Sequence, residues 1–220
     1  MNKDKEFCIS IVNKVFNKNL DVFSNLDIRS DLSNYEGPDR HYHNYKHIRS
    51  MLSGLKNFDL TSYERNALIL AIVFHDVDEN ELSCANRVYN YEFFCDYGTN
   101  FDVLVESLIL STCHFPNIQI LELLKDFDKN HPEYVRLQHI IHDLDLEILS
   151  SDNYKEYSEA IRKEYYRYDD TTYYRGRWII LNQFLAMDKI YLTLNYSGLE
   201  NKARKNIKNE IKEIEALGYW

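Results

Sequence analysis

Thr61-Ser62-Tyr63-Glu64-Arg65-Asn66-Ala67-Leu68-Ile69-Leu70-Ala71-Ile72-Val73-Phe74-His75-Asp76 is the stretch whose reading decides the fold. Its first four residues form a capping-box pattern: the Thr61 hydroxyl can take the backbone N–H of Glu64, and the Glu64 carboxylate that of Thr61. Over 67–74 every residue is apolar, so no face of this helix suits water and it is expected at the centre of the chain. The helix then runs out at His75-Asp76, an ionisable pair that is costly to bury unless something compensates it.

Outward from that helix the same period repeats. Phe7, Ile11 and Val15, with Val12 and Phe16, recur at three-to-four spacing and predict an N-terminal amphipathic helix. A loop is expected over 33–38, then a helix over about 41–58. Asp78 to Glu81 offers a second capping signal for a helix continuing to about Tyr97 and stopped by Gly98. Asn100 caps a segment over 101–112. Further helices are expected over 118–126, 133–149, 154–168, 172–186 and 199–217. Only 6 Gly and 3 Pro interrupt 220 residues, so breakers are scarce. The expectation is an all-α fold in one domain spanning 1–220, long enough to bury a core without disulfides.

Composition narrows the function. The formal net charge of −9 lacks the clustered Lys and Arg that neutralise a duplex, and the one Lys-rich stretch, 202–212, is interleaved with acids. Long nucleic acid is therefore not an expected partner. No apolar run reaches membrane-spanning length, and Met1 to Glu6 opens a charged amphipathic stretch with no apolar signal core. Cys8, Cys84, Cys95 and Cys113 are scattered without a CxxC pair, as in reduced intracellular proteins. The expectation is a cytoplasmic protein with no membrane partner, whose Tyr- and Ile-rich helical faces allow a homodimer.

Imidazole and carboxylate side chains gather at three places: Arg40-His41-Tyr42-His43-Asn44-Tyr45-Lys46-His47-Ile48, then Phe74-His75-Asp76, then Asp143-Leu144-Asp145-Leu146. These are the usual ligands of a divalent first-row ion that keeps a position open for water. Their order can bring His and Asp from three helices onto one ion. His43 and His47, four apart, would share a helix face. A single His is more simply structural; the set, on a helix too apolar to bury His-Asp alone, favours a metal.

The ordered set resembles the HD-domain superfamily of metal-dependent phosphohydrolases. More narrowly it is similar to predicted phosphohydrolases with an R-x-YHN-x-x-HI start, an FHD core, an NE-x-x-SA-like segment (here Asn80-Glu81-Leu82-Ser83-Cys84) and a D-x-DL helix. The resemblance covers most of the chain from Arg40 onward. It implies an HD-type helical bundle, metal ligands His47, His75, Asp76 and Asp145, and His43 beside them as a substrate group. The chain departs from the pattern in a shorter link after His75-Asp76 and in Leu144 where a small residue is commoner.

The chemistry then assigns further roles. A carboxylate must orient water or protonate the leaving oxygen, and Glu81, then Asp78, are the candidates; the bland alternative for either is a helix cap. Arg40, Arg175 and Arg177 are candidates for the phosphate, the alternative for the last two being ion pairs with Glu159, Glu164 or Asp170. His114 can line the cleft or, with His139 or His142, serve a second metal, although structural roles are simpler for all three. The cofactor is a divalent ion, Mn, Fe, Co, Ni, Zn or Mg. The expected reaction is hydrolysis of a small phosphoester, a nucleotide or related metabolite. The alternatives are an HD-type di-iron oxygenase and a non-catalytic nucleotide- or metal-binding module.

Overall fold

The computed structural model describes residues 2–16, 32–88 and 100–220, with 16, 81, 87 and 88 described by backbone alone. Among these residues every regular element is helical and there is no strand. The helices are α1 (Lys3–Phe16), α2 (Tyr45–Gly54), α3 (Ser62–Phe74), α4 (Glu81–Val88), α5 (Asn100–Leu110), α6 (Ile118–Asn130), α7 (Val135–Leu146), α8 (Tyr154–Glu164), α9 (Asp170–Ala186) and α10 (Glu200–Ala216). The chain divides into two compact units, Met1–Leu144 and Asp145–Trp220. The division falls inside α7, one residue before Asp145, so the helix built by the first unit carries that side chain. None of the described helices is long and apolar enough to cross a membrane.

In the first unit α3 is central, packing against α1, α2, α4 and α5. Residues 67–74 are all buried, and each large side chain among them contributes about 1.5–3 kcal/mol by leaving water. The capping box forms: Thr61 Oγ1 accepts from the Glu64 N–H at 3.2 Å, and Glu64 Oε2 accepts from the Thr61 N–H at 2.8 Å. The far end of α3 is as fully paired. Of its last four carbonyls, Ala71 accepts from the His75 N–H, Ile72 from the His75 ring, Val73 from the Tyr35 hydroxyl and Phe74 from the Val77 N–H. A helix end normally leaves these groups without partners. Here their satisfaction pins the backbone from which His75 and Asp76 project.

Several boundaries differ from the sequence expectation: the helix expected over 118–126 runs to Asn130, and the one expected over 154–168 ends at Glu164. The helix expected over 41–58 begins at Tyr45, because the Asn44 side chain accepts from the Lys46 N–H at 2.9 Å and caps it there. His43 therefore lies in the preceding turn and does not share a helix with His47. The helix expected over 133–149 is trimmed by single 3₁₀ turns, Pro132–Tyr134 before it and Glu147–Ser150 after it. Asn80 caps α4, its side chain accepting from the Ser83 N–H at 2.9 Å. The expected continuation of that helix to Tyr97 lies outside the described residues.

In the second unit α9 packs on α10, which buries Ala203, Ile207, Ile211 and Ile214, a three-to-four spacing. Glu200 accepts the backbone N–H groups of Ile190 and Tyr191 and pairs with Arg204, which donates to the Leu185 and Met187 carbonyls. That clamp fixes the link between the two helices.

Candidate metal centre

His47 stands on α2, His75 caps α3, Asp76 follows it, and Asp145 stands on α7. Both imidazoles are buried, whereas the Asp76 side chain keeps 24% of its surface exposed. His47 Nε2 and His75 Nε2 are 3.4 Å apart, and Asp76 Oδ2 lies 2.9 Å from His75 Nε2 and 3.5 Å from His47 Nε2. Ligand atoms of His47, His75 and Asp145 all fall within 4.8 Å of one another, a group able to hold a metal ion.

The protons decide what this convergence means. His75 Nδ1 lies 2.8 Å from the Ile72 carbonyl, which can only accept, so the ring proton is on Nδ1 and Nε2 of the neutral ring presents its lone pair. That lone pair faces the Asp76 carboxylate. Asp76 Oδ2 accordingly accepts no hydrogen bond among the described residues despite its close neighbours. Two acceptors pressed together call for a cation between them, a proton or a metal. Two nitrogens bound to one tetrahedral ion at about 2.0–2.1 Å stand roughly 3.3 Å apart, close to the His47–His75 spacing. A backbone carbonyl that orients a histidine through its second nitrogen is the usual support of such a ligand.

With the rings protonated, the proton itself is the cation that Asp76 meets. Burial alone would raise the Asp76 carboxyl, but His75, His43 and His47 outweigh it and hold it below the usual carboxylate range. Tyr42 packs on His47 with ring centroids 4.8 Å apart, and His43 sits 6.0 Å from the same ring. Arg40, half-buried in the turn before α2, acts with Asp76 on the Tyr35 hydroxyl, whose pKa burial and Asp76 raise and Arg40 lowers. Arg40, His43, His47, His75 and Asp76 thus belong to one neighbourhood of the first unit. Asp143 is fully buried, about 200° around α7 from Asp145, and serves a different face.

The remaining candidates divide. The Asp78 carboxylate is engaged in the turn before α4, accepting from the Glu79 N–H at 2.7 Å and the Ser83 hydroxyl at 2.9 Å. Glu81 opens α4, and its side chain lies outside the described residues. His114 follows α5, its Nδ1 3.3 Å from Nδ1 of His142 on α7. In the second unit Arg175 is exposed, while Arg177 is buried with Nε and Nη2 on the Glu210 carboxylate at 2.9 and 3.0 Å. Its partner is neither Glu159, Glu164 nor Asp170; Arg162 takes Asp170. Sequence reasoning missed Gln138, buried on α7 with an amide nitrogen that finds no acceptor among the described residues. Its spacing of seven from Asp145 was the available signal.

No family model, curated protein or solved structure matches the chain.

Proposed function

We propose that this chain is a metal-dependent phosphohydrolase of the HD type, cleaving a small phosphoester. The observation that carries the reading is the His75 ring: its proton is fixed on Nδ1 by the Ile72 carbonyl, so its bare Nε2 meets Asp76 Oδ2 and His47 Nε2 around one point. His47, His75, Asp76 and Asp145 would hold the ion. Bound there, a divalent cation lowers the pKa of water towards neutrality and polarises a phosphoryl oxygen.

The chain's own residues supply the rest. Arg40 and His43 stand where positive charge offsets a phosphate near Asp76. The pairing of α3's last carbonyls keeps the ligands from rearranging when substrate arrives. The Asp78 carboxylate holds the α4 turn, so Glu81 at the start of α4 is the candidate to orient water or protonate the leaving oxygen.

The test is product release from a panel of nucleotides and sugar phosphates with added Mn²⁺, beside Asp76→Ala. Turnover is expected in the parent and a fall of more than about a hundredfold in the variant, beyond the loss typical of an outer-sphere partner. Bound metal with no turnover on any phosphoester overturns the reading.

A further inference from the structure

Three hydrogen bonds meet on the stretch 32–36, which holds a single 3₁₀ turn over Asn34–Glu36. The Tyr45 hydroxyl donates to the Leu32 carbonyl at 2.6 Å, the Tyr35 hydroxyl to the Val73 carbonyl at 2.9 Å, and the Asn34 amide to the Val77 carbonyl at 2.9 Å. Tyr45 stands two residues before His47, Val73 two before His75, and Val77 directly follows Asp76. One short piece of chain thus reaches α2 and both flanks of the His75-Asp76 pair. The Tyr35 and Tyr45 rings also touch, with centroids 5.6 Å apart, and each residue is 2% exposed. Lys5 on α1 pairs with Glu36 at the end of the turn.

The turn itself needs none of these side chains. It closes through main chain, the Gly37 N–H donating to the Asn34 carbonyl at 3.2 Å, and no non-glycine residue among those described has a positive φ that would favour asparagine. Asn34 is exposed, so alanine there would lose no buried packing. Phenylalanine would fill the space of either tyrosine with only the hydroxyl missing. What the three polar groups supply is a fixed distance between the start of α2 and the end of α3. His47 and His75 stand on those two elements, and an ion accepts its ligands only within about 0.2 Å of their preferred distances. We infer that Asn34, Tyr35 and Tyr45 are positioning residues of the candidate metal centre, setting the separation of His47 from the His75-Asp76 pair through the backbone on either side of them. The inference rests on the metal-binding part of the hydrolase reading. It goes beyond the pairing of the last α3 carbonyls, because it ties the two ligand-bearing helices to one another.

Titration of the full chain with Co²⁺ tests this, read by calorimetry and by the ligand-field absorption of the bound ion, whose bands report coordination geometry. Asn34→Ala and Tyr35→Phe should each weaken Co²⁺ binding about tenfold, the lower end of the loss for an outer partner of a ligand, and shift the bands. Asn34→Ala, at an exposed position, supplies a folded variant if Tyr35→Phe is unstable. Tyr134→Phe is the control: it removes the bond from another buried tyrosine hydroxyl to a carbonyl, that of Asn100 at 3.1 Å, and neither residue adjoins a ligand. It should lower the urea midpoint and leave affinity and bands unchanged. Affinity and bands unmoved in both variants overturn the positioning role. So does a loss as large in Tyr134→Phe, which traces the effect to stability alone. A parent chain that binds no Co²⁺ sinks the metal reading and the positioning role together. Because no turnover is read, altered Co²⁺ binding in the two variants, beside a parent that hydrolyses no phosphoester, sinks the hydrolysis and leaves the positioning role standing.

Discussion

At Asp76 and Asp102 the same residue type meets opposite environments. Asp76 is held low by three imidazoles despite burial. Asp102, in the first turn of α5, has no such neighbours: burial pushes its carboxyl up to about 6, and its Oδ1 is without a partner among the described residues. The folded state therefore holds this proton more tightly than the unfolded chain, where it leaves near about 3.9. Between about pH 4 and 6 the folded form binds the extra proton, so Asp102 makes stability fall as pH rises through that window. Asp102→Asn should raise the unfolding midpoint at pH 7 and change it little at pH 4, as urea titrations at the two values would show. An equal effect at both would mean that charge is not the cause. The Asp102 result was illegible in the sequence, because an acid in a first helical turn reads as a favourable dipole partner. The His and Asp clusters were legible as types, while the set His47, His75, Asp76 and Asp145 came only from the resemblance; the fold brings ligand atoms of His47, His75 and Asp145 within 4.8 Å of one another. The Ile72 carbonyl that sets the His75 tautomer was not legible, since a main-chain acceptor has no sequence signature.

Among the elements, α3 shows how a local signal places a site. Its start is set by Thr61 and Glu64 and its end by the Tyr35 hydroxyl and the His75 ring, so both ends are fixed by named side chains. Glu64 has a second task, pairing with Arg136 at the start of α7. Burial would raise its carboxyl, but hydrogen bonds from Thr61 and Arg136 prevail and hold it low. Thr61→Ala should cost about 1 kcal/mol in chemical denaturation. Metal affinity measured by titration should be unaffected, because His75 and Asp76 sit at the opposite end of this helix and His47 and Asp145 stand on others. A large loss of affinity would show that the cap, through Glu64 and Arg136, also positions α7. A helix start with a side-chain cap followed by an apolar period was readable, as at Thr61; the Asn117 cap was not read, although a helix was expected from Ile118. The start of α2 was misplaced because His41 to His47 was read as continuous, although Asn44 is itself a capping residue. The 3₁₀ turns flanking α7 depend on packing around Pro132 and Leu149, which no local rule encodes.

At the scale of the whole molecule the chain is two compact units, and Arg177 decides what kind of residue the second contributes. A guanidinium two residues from Arg175 invites a phosphate role, but its fork is closed on Glu210, whose carboxylate also accepts from the Tyr154 hydroxyl at 2.5 Å. The pairing joins α9 to α10 across 33 residues, a separation at which sequence offers no way to choose among the many acids. Both partners are largely buried, with side chains 8% and 12% exposed, so removing one strands the other as an unpaired charge. Arg177→Met should therefore cost about 3–5 kcal/mol of stability. Replacing both partners by methionine should recover much of that loss, because two apolar side chains of similar volume leave no charge to desolvate. Mn²⁺ and phosphate affinity should persist in the double variant at temperatures where it is folded. If Arg177 instead served the substrate, Arg177→Met would weaken phosphate binding with little loss of stability, and the second replacement would rescue nothing. Thermal melts and phosphate titrations of the two variants, run together, separate these outcomes.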